Sequence, residues 1–208
     1  MFNLNLLDIV AGIPGLIIAM VIHEYAHART ADALGDPTPR MMGRLTLNPV
    51  AHIDPIGLIM LFLVRFGWAK PVIIDARHFK NPRRDDILVS LAGPAANLVT
   101  AFLTLVVLLA YHHVAGRPSV GMYQVLQLII IYNINFAIFN LIPLPPLDGS
   151  HVLAQLLPGR LAYEYVRLER YSFLILIVLI MTPVLSMIFI PLQRFIWSAF
   201  LFILTPFL

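Results

Sequence analysis

The chain contains no cysteine. Disulfide staples and thiolate metal sites are therefore excluded, although that absence does not fix the compartment. Charge is scarce as well. Only 12% of the 208 residues are Asp, Glu, Lys or Arg, against about 25% in soluble domains. The formal net charge of +3 comes from lysines and arginines scattered through loops, so no nucleic-acid face is expected. Internal repeats and low-complexity tracts are missing. The opening Met1-Phe2-Asn3-Leu4-Asn5 lacks the basic start of a signal peptide. The first apolar segment is expected to stay on the chain, because it carries the ionisable motif described below.

What remains is apolar. Hydrophobic residues make up 60% of the chain and mean hydropathy is +0.86, where soluble domains hold roughly 45–50% apolar residues. The reading is an all-α polytopic membrane protein forming one domain over residues 1–208, with a core at about 6–155 and C-terminal helices at about 171–208. Residues 6–29, 87–111, 120–141, 171–190 and 191–208 read as about five transmembrane helices, each near the roughly 20 residues a bilayer takes. Residues 55–66 are apolar but short, as a re-entrant segment would be. Residues 67–74 read as a turn and a short extended or hairpin piece, with Trp68 placed as an interfacial residue.

Charge distribution tests this layout. If 55–66 does not cross, then all but Arg117 and Arg194 of the 14 Lys and Arg residues fall on one side. That bias puts this side in the cytoplasm and the N-terminus outside, in a multi-pass protein of the cell membrane.

The polar exceptions inside the apolar segments carry the chemistry. His23-Glu24-Tyr25-Ala26-His27 ends the first segment. Two histidines four apart share one helix face and can ligate one metal, and the glutamate beside the first can deprotonate a water. Ionisable residues inside a span are expensive and point to function; the bland alternative is a structural polar cluster. A catalytic zinc takes three protein ligands. Asp148 is the best third, since it follows Pro143, Pro145 and Pro146 at a broken helix end on the same side; a turn aspartate before Gly149 is its bland reading. His52 and Asp54 compete as ligands, with local loop hydrogen bonds as their default. His151 is a candidate partner behind a ligand. His112 and His113 read as interfacial, and His78 as solvated. Asn97 and Asn140 are amides within spans, serving either as interhelical glue or as donors to substrate or an oxyanion.

In that order, H-E-x-x-H, Gly93-x-x-x-Asn97 and Asn140-x-x-Pro143 leading to Leu147-Asp148-Gly149 resemble the site-2 protease family of intramembrane zinc metalloproteases. The resemblance spans roughly residues 13–153. Gly43 through Pro49 and Gly67 through Val72 also resemble a compact bacterial-type branch without a PDZ domain. It implies one Zn2+ per chain on His23, His27 and Asp148, with Glu24 as general base and Asn97 and Asn140 lining the site. It also implies that residues 67–74 pair with substrate as an added strand. The expected function is zinc-dependent endopeptidase cleavage of a transmembrane or membrane-proximal segment near the cytoplasmic face, in regulated intramembrane proteolysis. Expected partners are that transmembrane substrate and the lipid bilayer. Two other readings stay open: a non-proteolytic metal-binding protein or transporter with the same ligands, and a different H-E-x-x-H architecture that uses Glu164 or Glu169.

Overall fold

A computed structural model describes residues 6–57 and 69–207 of the chain. Among these the fold is helical: α1 (Leu6–Ala33), α2 (Thr38–Met41), α3 (Pro49–His52), α4 (Pro82–Ala115), α5 (Val120–Asn140), α6 (Asp148–Leu156), α7 (Gly159–Val166), α8 (Glu169–Met181) and α9 (Val184–Leu204). The only β pairing among the described residues is a single antiparallel bridge, Ile53 to Ala69. Most of the segment read as re-entrant, and the Gly67-Trp68 turn, lie outside the described residues. From 69 onward the chain runs without helix to Asp75, and beyond the Ile53–Ala69 bridge no β pairing forms among the described residues.

Helices α1, α4 and α5 pack tightly on one another and form the centre of the molecule. Their ends follow from local chemistry. Helix α1 closes where Gly35 takes a positive φ of 109° and Asp36 N–H reaches back to the Ala31 carbonyl, a wrap that suits glycine because it has no Cβ to clash. Asp36 is fully buried. Its carboxylate accepts N–H bonds from Thr38 at 2.9 Å and from Asp75 at 2.8 Å, and His78 Nδ1 lies 3.3 Å away. Burial pushes this carboxyl up, but those hydrogen bonds and the histidine outweigh it and hold it below the ordinary carboxylate range. Its stabilising contribution is therefore complete above that range and is lost as pH falls through the lowered value. Asp36 thus fastens the extended segment to the end of α1, and His78 is a partner in that clasp rather than merely solvated.

Helix α4 starts with Pro82 at its first position, and Asp85 accepts the Asn81 N–H at 3.0 Å. The Ser119 hydroxyl caps α5 by accepting Met122 N–H. After α5 the prolines at 143, 145 and 146 forbid a continuous helix, and the chain re-enters helix at Asp148.

Four helices among the described residues are long and apolar enough to cross a membrane: Val10–Ala33, Pro82–Ala115, Val120–Asn140 and Val184–Leu204. The expected break at Pro191 is not where the C-terminal region divides. Pro191 lies inside α9, and the chain breaks at Thr182-Pro183 instead, leaving α8 with 13 residues. A proline costs one backbone bond, which packed membrane helices tolerate. At about 20 Å, α8 is shorter than the roughly 30 Å of a hydrocarbon core.

The direction of α9 follows from two contacts. Asn97 and Asn133 are hydrogen-bonded, which sets α4 and α5 in register. Phe102 stacks edge-on with Phe200 at 5.2 Å, and Gln193 donates to Asn135. Phe102 and Asn135 are therefore roughly 10 Å apart along the bundle axis, the same rise as residues 193 to 200 of a helix. The match requires α9 to run parallel to α4 and antiparallel to α5.

Candidate metal centre

Residues 23 and 27 sit one turn apart on the inward face of α1, both buried. The first residue of α6 brings Asp148 to them. His23 Nε2 and His27 Nε2 lie 3.0 and 3.2 Å from Asp148 Oδ2 and 2.9 Å from each other. Among the described residues these three form the one group of side chains arranged to hold a metal ion.

The hydrogen bonds behind the rings decide what those atoms are. His27 Nδ1 lies 2.8 Å from the Val89 carbonyl, which can only accept, so Nδ1 carries the proton. Asn97 Nδ2 donates to the Ala19 carbonyl at 2.8 Å and to Asn133 Oδ1 at 2.9 Å. That orientation turns Asn97 Oδ1 to His23 Nδ1 at 2.8 Å, so this nitrogen also donates. In the neutral rings both Nε2 atoms are then bare lone pairs, facing each other and a carboxylate oxygen. Asp148 Oδ2 is buried without a hydrogen-bond partner. Three converging acceptors with no donor among them repel unless a cation sits between them. Ligands about 2.0–2.1 Å from a tetrahedral zinc lie roughly 3.3 Å apart, and the observed spacings approach that within a few tenths of an ångström. The residues fit a zinc ion.

Close packing holds the rings in place. Phe136 of α5 meets the His23 ring edge-on at 5.1 Å. Gly93 of α4 faces both histidines: a Cβ there would overlap His27 Nε2 and would lie 2.6 Å from His23 Cε1. Gly93→Ala is expected to displace the rings and to weaken zinc binding about 10–100-fold, the usual effect of disturbing a ligand's support. Competition against a chelating dye measures this, and unchanged affinity would count against rings seated on Gly93. Gly149 has a similar role, since a Cβ there would run into the Leu141 carbonyl. The residue after Asp148 must therefore be small for the broken helix end to fold back.

Glu24 is buried, and one carboxylate oxygen accepts the Val72 N–H at 3.0 Å. The extended segment held by Asp36 thus reaches the residue between the two histidines. Asn97 spends both amide hydrogens and its oxygen as described above. The Asn140 amide donates to the Phe136 carbonyl at 2.9 Å, one turn back on its own helix. His52 is fully buried, with Nε2 on the Thr46 carbonyl at 2.8 Å, and Asp54 accepts from Ile56 and Gly57. Both follow their loop readings. His112, His113 and His151 are exposed, and Glu164 pairs with Arg167.

One residue escaped the sequence reading. Asn133, fully buried, donates to the Ile129 carbonyl at 2.8 Å and so presents its oxygen to Asn97. The chain Ile129–Asn133–Asn97–His23 thereby sets the ring's tautomer from two helices away. Asn133→Leu strands a buried N–H of Asn97, and is expected to cost about 1–3 kcal/mol. Chemical unfolding in detergent tests this, and an unchanged midpoint would remove Asn133 from the network.

Comparison with known proteins agrees with this geometry. The profile of Peptidase family M50 matches residues 109–183, the stretch holding α5, the proline break and Asp148. A candidate zinc metalloprotease of Bacillus subtilis, YwhC, is 39% identical over 180 residues, covering 85% of this chain and 82% of that protein. A candidate zinc metalloprotease of Mycolicibacterium smegmatis, Rip2, is 35% identical, covering 84% of this chain and 68% of its own length. Stage IV sporulation protein FB of Bacillus subtilis is 26% identical over 200 residues, covering 90% of this chain and 65% of that protein. No solved structure matches. The relatives, the apolar helices and the buried histidine pair lead to one conclusion: this chain belongs to peptidase family M50, the site-2 protease family, and is a multi-pass membrane zinc metallopeptidase.

Proposed function

We propose that the protein is an intramembrane endopeptidase that cleaves a transmembrane or membrane-proximal peptide segment near the cytoplasmic face, in regulated intramembrane proteolysis. The observation that carries this is the convergence of His23, His27 and Asp148 beside Glu24, within helices apolar enough to span a membrane. The charge distribution supports an N-terminus outside and a site toward the cytoplasm.

His23, His27 and Asp148 would hold one zinc per chain. When bound, zinc supplies Lewis-acid chemistry, lowering the pKa of a water and polarising a carbonyl. Glu24 takes the proton of the attacking water and delivers it to the departing amine. The Val72 N–H holds one oxygen of Glu24 and so limits its swing. Asn97 keeps His23 oriented, and its donors are spent, so oxyanion stabilisation is assigned to Asn140. The extended segment from residue 69 offers main-chain groups to a substrate strand, which suits a substrate helix that must unwind before its carbonyl is exposed.

The test is a membrane-inserted reporter cleaved by the purified chain in liposomes. Removal of zinc by chelation is expected to abolish cleavage, and re-addition to restore it. Zinc flux across the liposome without any cleavage would favour the transport reading instead. Cleavage that persists in zinc-free protein would overturn the peptidase proposal.

A further inference from the structure

Arg194 is the only charged residue of α9, a helix of 21 residues otherwise rich in Leu, Ile and Phe. It is exposed and has no ion pair or hydrogen bond among the described residues. A lone arginine in such a helix needs a polar partner, which it finds by reaching the headgroup level and the anions there. Beside it lies a cleft of about 450 Å³ between α5 and α9, lined by Arg194, Gln127, Ser198 and Trp197 with a floor of Ile131 and Ile134. These polar groups can all donate hydrogen bonds, and no acid lies among the lining residues. The cleft therefore suits an anion that carries an apolar tail.

Its depth narrows the choice. Gln193 contacts Asn135, which lies five residues from the end of α5, so Arg194 sits roughly 8 Å inside that end. This is the end nearer the metal centre. Helical side chains lean toward their helix N-terminus, and for α9 that is the same end. The guanidinium is thus directed to the headgroup level, within snorkelling reach. The apolar floor continues the other way, through Ile134 and Ile131, toward the membrane interior. The cleft has room for an acyl chain along this floor.

We propose that this cleft is a binding site for an acidic phospholipid of the leaflet on the metal-centre side. The phosphate meets Arg194 at the outer end of the cleft, and one acyl chain lies over Ile134 and Ile131 against Trp197, with Ser198 about one turn deeper than Arg194. A lipid bound here braces α9 against α5, the helix that carries Asn133 and Phe136 to the centre.

The test uses Trp197 as the reporter. The chain has two tryptophans, so the full-length protein with Trp68→Phe is reconstituted in phosphatidylcholine vesicles. Brominated phosphatidylglycerol or brominated phosphatidylcholine is included at equal mole fraction as quencher. Apparent affinity is expected to be about fivefold higher for the phosphatidylglycerol, the effect of one arginine near an anionic headgroup. Arg194→Gln should abolish that preference and Arg194→Lys should keep part of it. Arg160→Gln, an arginine on α7 outside the cleft, should leave it unchanged. Equal quenching by both lipids would overturn the proposal, as would a Trp197 that neither lipid reaches because a second protein copy covers it. So would a preference that survives Arg194→Gln, or one that Arg160→Gln removes equally.

Discussion

Glu24→Gln is expected to lower cleavage by about 10²–10⁴-fold while zinc stays bound. The amide is almost the same size as the carboxylate and can still accept the Val72 N–H that Glu24 accepts at 3.0 Å. Local packing and the orientation of the extended segment are therefore preserved. What is lost is the ability to take a proton from water and return it to the leaving amine. Glu24 is not among the three converging ligand atoms, so zinc content should match the parent protein. A rate assay on a membrane-inserted reporter, paired with a zinc assay on the same sample, separates the two effects. Robust cleavage by this variant would remove Glu24 from the role of base. Loss of zinc along with activity would show that the glutamate helps to hold the metal.

Asp148→Ala should have effects of opposite sign with and without metal. In zinc, the variant loses one of three protein ligands, and binding and cleavage both collapse. Without zinc, Asp148 Oδ2 is a buried acceptor with no hydrogen-bond partner, facing two imidazole lone pairs. Removing an unsatisfied buried polar group relieves a penalty of about 1–3 kcal/mol. The metal-free variant should then unfold no earlier than the metal-free parent, and it should lose the stabilisation that added zinc gives the parent. Thermal unfolding of both proteins, with chelator and with zinc, measures this. A variant that is equally destabilised under both conditions would mean that Asp148 serves packing rather than a metal.

Much of the centre could be read along the chain because its parts are tied to regular periods and hard breaks. Two histidines four apart must share a helix face, and a proline cluster must end a helix, so the meeting of His23, His27 and Asp148 follows once the intervening segments pair. Gly93 and Asn97 could be noticed as a small residue and an amide in an apolar run. Their partners could not, because side-chain hydrogen bonds between helices depend on rotation and register. Asn133 is one amide in an apolar helix, and nothing local points it at Asn97. Asp36 looks like an ordinary turn residue after Gly35; only the return of residues 75–78 turns it into a buried clasp. The C-terminal division was misplaced for a related reason. Pro191 and Pro183 are equally strong breakers in isolation, and packing of α9 on α4 and α5 decides which of them is absorbed.

The zinc content of the purified wild-type chain, measured beside Glu24→Gln and Asp148→Ala, tests the centre most directly. About one zinc per chain is expected in the wild type and in Glu24→Gln, and almost none in Asp148→Ala, as follows if three protein ligands hold the ion. Full zinc occupancy with retained cleavage in Asp148→Ala would contradict this centre and revive a site completed by Glu164 or Glu169.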